Sequence, residues 1–182
     1  MKNFKLVVII MAVLVSISLM CVFMVQSAQN GAINREEQIE TAQSDIKVQE
    51  KRRADLIPNL VDCVKQYDKH EYETLMNVIT ARGVNTDASA NEITTMISAV
   101  AEQYPQLQSN ANYKQLMNEL SITENLISEY RSNFNKQVKE YNRYVRKFPT
   151  RLFLSITGYE VIEYEYLNYD VSSDAPTNLF GE

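Results

Sequence analysis

The sequence predicts an all-α protein, with an N-terminal transmembrane helix followed by an antiparallel bundle of three to four long helices. Residues 6–25 form an uninterrupted apolar run. Beyond it, apolar side chains recur at three- and four-residue steps, the spacing of one helix face. Only four Gly and four Pro punctuate 182 residues, too few for a loop-rich or barrel design.

The apolar run extends from Leu6 to Val25, broken only by Ser16 and Ser18. At about 1.5 Å per residue it spans the hydrocarbon core of a bilayer. Lys2 and Lys5 precede it, and Gln26 to Asn30 carry no positive charge. The positive-inside rule then leaves residues 1–5 as a short cytoplasmic N-terminus in a single-pass protein of the cell (inner) membrane. The folded part lies on the periplasmic or extracellular side. A retained anchor fits better than a cleaved signal peptide, for which the core is long and Val25-Gln26-Ser27 a passable site. It also fits better than a lipoprotein signal ending at Cys21, where Met20 is not small.

Residues 26–32 read as a juxtamembrane linker, and residues 33–158 as the helical bundle. Ile39, Ala42, Ile46, Arg53, Leu56 and Leu60 fall on one stripe, with Arg53 on it and not opposite it. Pro58 starts a helix or kinks one. The spacing favours one kinked helix from Ile33 toward Gly83, although two helices over 33–82 fit as well. Ser89-Ala90-Asn91-Glu92 has the form of a capping box opening a helix that ends before Pro105. Residues 112–147 form the longest regular stretch, striped by Leu116, Leu120, Ile127, Phe134, Val138, Tyr141, Val145 and Phe148. Residues 151–158 add an apolar turn or two. Residues 159–182 form an acidic, tyrosine-rich tail, partly docked by Tyr159, Tyr164, Tyr166 and Tyr169 and otherwise loose.

The net charge of −5, with basic residues dispersed among acids, gives no footprint for nucleic acid. Cys21 and Cys63 lie in apolar surroundings and read as reduced small hydrophobes. His70 is the single histidine. With Asp68, Glu71 and Glu73 nearby it invites a metal reading, but Glu71 and Glu73 flank Tyr72 and cannot both face His70, and with no second His an HExxH motif is excluded. No nucleophile–base pair and no phosphate-binding glycine loop can be assembled. The expectation is a protein without catalytic residues, cofactor or metal.

Two separated motifs carry a resemblance. The first is Arg52-Arg53-Ala54-Asp55-Leu56-Ile57-Pro58-Asn59-Leu60-Val61, followed by Tyr67, Lys69, His70 and Glu71. The second is Leu120, Thr123, Glu124, Asn125, Ile127 and Arg131, then Val138, Tyr141, Asn142 and Phe148-Pro149. In order and spacing the chain resembles the LemA family. The resemblance implies a membrane helix with a long-helix bundle, no established enzymatic activity, and a role in envelope maintenance or scaffolding. It leaves the acidic tail outside the family pattern.

From the residues, Arg52, Arg53, Asp55, Glu124, Asn125 and Arg131 form a candidate structural polar network. Glu124 and Arg131 project from nearly the same side of their helix, and Glu124 is expected to pair with Arg53 or Arg52 near the Pro58 bend. The implied partners are the bilayer through residues 6–25, a second copy of the chain, and an envelope protein. The expected role is a self-associating scaffold, with an adaptor or regulator of a membrane peptidase or signalling system, docking through its tail, as the alternative.

Overall fold

A computed structural model describes residues 2–84 and 86–167. The helices are α1 (Lys2–Val64), α2 (Lys69–Arg82), α3 (Asp87–Gln103), α4 (Pro105–Ser109), α5 (Ala111–Arg146) and α6 (Thr150–Ile156). No strand occurs among the described residues. The tail beyond residue 167, with Tyr169, Asp170, Asp174 and Glu182, lies outside them.

The chain divides into two compact units, residues 1–35 with 134–182, and residues 36–133. In the second unit, Leu56, Ile57, Leu60, Val61 and Val64 of α1 join a hydrophobic cluster. The cluster also takes in Leu75 of α2, Ile93 and Ile97 of α3, Leu107 of α4, and Tyr113 and Leu120 of α5. Pro58 lies inside α1, and the helix continues past it to Val64. The break comes at residues 65–68 instead, so residues 33–82 form parts of two helices, not the single kinked one expected. Asp68 explains the restart: it caps α2 by accepting the Glu71 N–H at 3.0 Å. Its other oxygen accepts the Tyr104 hydroxyl at 2.6 Å. That hydrogen bond above all, with the Glu71 N–H, holds the carboxyl below its ordinary range.

Gly83 ends α2 with φ of 70°, a conformation that suits glycine. The next helix starts earlier than Ser89. Thr86 is its N-cap, accepting the Ser89 N–H at 3.2 Å. Ser89 therefore occupies the third helical position, so the N-cap lies three residues before the expected one and Ser89 does not serve as the cap. Pro105 opens the short helix α4, which leads into α5.

In the first unit, residues 26–32 are helical within α1 rather than an irregular linker. Ala28, Ala32, Phe134, Val138, Tyr141, Val145 and Leu154 are buried. Phe148, expected at the end of the α5 stripe, is 78% exposed because α5 stops at Arg146, before it. Residues 159–167 run extended along α5. The Asn135 amide donates to Leu167 O at 3.0 Å and accepts from Leu167 N at 2.8 Å, while the Tyr141 hydroxyl accepts the Ile162 N–H at 3.1 Å. Tyr164 meets Tyr141 edge to face at 5.3 Å.

Large apolar side chains from Phe4 to Met24 are exposed. α1 is therefore a candidate membrane span, apolar enough and covered by no other part of the protein along its most apolar window. Ser16 and Ser18 return their hydroxyls to Ala12 O and Leu14 O at 2.9 and 3.0 Å, so both hydroxyl donors are satisfied within the helix.

Candidate functional site

The polar centre of the second unit is built on an arginine placed inside an apolar helix face. Arg53 shares its stripe with Ile46, Leu56 and Leu60, so when α1 packs, the guanidinium is taken in with them. Arg53 is 1% exposed. A charge so placed requires counter-charges at once, and two other helices supply them. Arg53 Nη1 donates to Asp87 Oδ1 at 2.8 Å and approaches Glu124 of α5 at 3.4–3.5 Å. Asp87 is the first residue of α3, where a negative charge also complements the helix dipole.

Arg131 completes the arrangement from α5, two turns beyond Glu124. It gives Nη1 to Asp87 Oδ2 at 2.5 Å and Nη2 to Glu50 Oε1 at 2.7 Å. Asp87 is thus shared between two arginines. The Arg131 hydrogen bond, with Arg53 behind it and burial opposing, brings its carboxyl down to about 2. The same pair holds the Arg131 guanidinium above its ordinary value. Glu50 and Arg53 lie one turn apart on α1, which sets both toward α5. The cluster has the fork geometry that arginine supplies and lysine does not.

Arg53 Nε and Nη2, and Gln49 Oε1 one turn earlier, are buried without a hydrogen-bond partner. Among the described residues, no three His, Cys, Asp or Glu side chains are arranged to hold a metal ion. Each carboxylate in the cluster faces arginine.

The structure brings Arg53, Glu124 and Arg131 together. Arg52 points elsewhere and meets Glu119 at 3.6 Å, with both half-exposed. Asp55 and Asn125 are exposed outside the cluster. Glu50 and Asp87 are members that sequence reasoning did not include. The one-turn spacing of Glu50 before Arg53 was a usable signal. Asp87 offered none, since it lies before Ser89, where the sequence places the start of the next helix. His70 is exposed at the start of α2. Cys21 and Cys63 are free thiols, and burial, then Asp62, pushes the Cys63 thiol up.

The first unit holds a different contact. Tyr144 of α5 lies against Gly31 of α1 so closely that a Cβ at Gly31 would overlap the phenol. Its hydroxyl reaches the carbonyls of Ala28 and Ser27 at 3.3 and 3.4 Å. The Arg35 guanidinium covers the ring at 3.9 Å and donates to Gly31 O at 2.7 Å.

Comparison with known proteins is consistent with this architecture. Over 168 residues the chain is 24% identical to Protein LemA of Metamycoplasma hominis, covering 82% of this chain and 77% of that one. It is 37% identical over 68 residues to Magnetosome protein MamQ of Magnetospirillum gryphiswaldense and to MamQ 2 of Paramagnetospirillum magneticum. The matched stretch spans 25% of the length of each of those two proteins and 37% of this chain. The sequence model of the LemA family matches residues 42–178, and the chain belongs to the LemA family.

Proposed function

We propose that this protein is a non-catalytic, membrane-anchored scaffold of the bacterial envelope that self-associates. The observation that carries the reading is the composition of α1. One helix bears both an exposed apolar run of membrane-spanning length and the Leu56–Val64 face of a hydrophobic core. Such a helix holds a folded domain at a membrane surface, and a scaffold needs little more. The charge cluster supports the same reading, because its groups are engaged with one another rather than presented to a substrate. By the positive-inside rule the folded part stands on the periplasmic or extracellular side.

The test is the mass of the full-length chain in mild detergent, measured by light scattering on a sizing column. A discrete oligomer is expected. A monomer across the accessible concentration range refutes self-association.

A second reading, an adaptor or regulator of a membrane peptidase or signalling system, has one specific observation in its favour. Glu160, Glu163 and Glu165 are exposed on the segment lying along α5, which presents carboxylates on an ordered surface. Removing residues 159–182 takes these carboxylates away with the rest of the acidic tail. Under this reading it abolishes co-purification of a partner, with oligomer mass unchanged.

A further inference from the structure

Helix α6 leaves one face uncovered. Leu152 and Ile156, 50% and 68% exposed, lie four residues apart on one side of α6, and Phe148, 78% exposed, stands in the turn that leads into it. Leu154 on the other side is buried. Three large apolar side chains together on a surface mark an interaction site.

What covers them follows from where the corner stands in the first unit. Pro149, Thr150 and Phe153 face Ser16, Leu19, Met20, Phe23 and Met24 across a groove of about 730 Å³, with Tyr144, Ser27 and Ala28 also lining it. Ser16 to Met24 belong to the apolar run, and Ser16 lies roughly 13 Å inside its C-terminal end at the helical rise. The corner is therefore level with the C-terminal half of the run. A bilayer that covers the run covers the corner too. Charge agrees: Arg143, Arg146, Lys147 and Arg151 stand between residues 143 and 159, where there is no Asp or Glu. Exposed Arg146, Lys147 and Arg151 flank the apolar face, as cations do when their stems follow an apolar surface to a headgroup.

We infer that the α5–α6 corner is a second membrane contact, one that inserts Phe148, Leu152 and Ile156 among the acyl chains beside residues 16–25. Arg146, Lys147 and Arg151 reach anionic phospholipid headgroups, and an acyl chain fills the groove. This rests on the reading of residues 6–25 as a membrane anchor.

The test uses the full chain with Cys21→Ser and Cys63→Ala, carrying one environment-sensitive fluorophore on a new cysteine. The labelled positions are Leu152→Cys and Ile156→Cys, with Phe148→Cys as a further site should either lose helicity. Val13→Cys reports the anchor, and Ile122→Cys, exposed on α5 in the other unit, reports water. The protein is placed in vesicles of phosphatidylcholine and phosphatidylglycerol, with or without nitroxide-bearing acyl chains. Loss of emission at Leu152 and Ile156 matching that at Val13, with none at Ile122, is the expected result. Loss at Val13 alone overturns the second contact and leaves the anchor standing. Blue-shifted but unquenched labels at Leu152 and Ile156 show protein covering the face, and also overturn it. No loss at Val13 shows that the anchor reading has failed, and this inference with it.

Discussion

Helix α1 meets α5 in both units, by opposite means. In the second unit the meeting point is Arg53, a full charge taken inside and held by carboxylates from α3 and α5. In the first it is Gly31, a missing side chain that lets Tyr144 rest on the α1 backbone beneath Arg35. Charge pairing is selective, because the wrong partner leaves a buried guanidinium uncompensated. Close approach is selective by shape, because one Cβ is enough to lift the ring. The first kind depends on protonation, whereas the second does not.

The contrast can be broken most sharply at Asp87. Asp87→Ala leaves Arg53 with only the long contact to Glu124 and is expected to cost about 3 kcal/mol in chemical unfolding of the detergent-solubilised protein. Arg53→Met, which removes the buried charge and keeps the bulk, should cost clearly less than that. An equal or larger loss in Arg53→Met would mean that the guanidinium itself, and not its abandonment, is what matters.

Asp87 also sets the acid limit. Its carboxyl is held at about 2 against an ordinary 3.8, so its contribution is present above the unfolded value and is lost as pH falls through the folded one. Unfolding followed by circular dichroism should show stability dropping between pH 4 and 2. Asp87→Asn should flatten that drop. A drop of unchanged steepness in the variant would assign it to other carboxylates.

Gly31→Leu tests the other contact and is expected to cost roughly 1–3 kcal/mol through overpacking, independent of pH. Chymotrypsin should then cut faster at Tyr164, because Tyr144 shares α5 with Tyr141, the ring against which Tyr164 packs. Unchanged cutting would mean that α1 yields instead of Tyr144.

Glu124→Gln, whose oxygens lie at 3.4–3.5 Å from Arg53, should cost about 1 kcal/mol. In a double-mutant cycle with Arg53→Met the two losses should fall short of additive. The smallest effect is expected at Arg52→Ala, within about 0–1 kcal/mol, since its pairing with Glu119 is half-exposed. A larger loss there would place Arg52 among the structural charges after all.

Much of the helix content was legible because it is local. The 3.6-residue repeat, Pro105, Gly83 and the apolar run each act on their own neighbours, and they give the positions of α3 and α5 to within a few residues. Pro58 shows where local reasoning stops. Proline weakens one turn, but the packing of Ile57, Leu60 and Val61 on both sides of it holds the helix together, and the break falls at residues 65–68 under the Asp68 cap. The acid and base on α1 and α5 were readable as a candidate network because each sits beside an apolar stripe.

By itself, the sequence determined that this chain is helical, that residues 6–25 are apolar enough to span a bilayer, and that Arg53 lies on a face that must be buried. These are properties of neighbours within a turn or two. Only the tertiary structure decided that Asp87 is the carboxylate shared by two arginines, that Gly31 receives Tyr144, and that Phe148 stands in the open. Each of those depends on which distant segments the collapse of the chain brings within a few ångströms, and residue spacing carries no record of that.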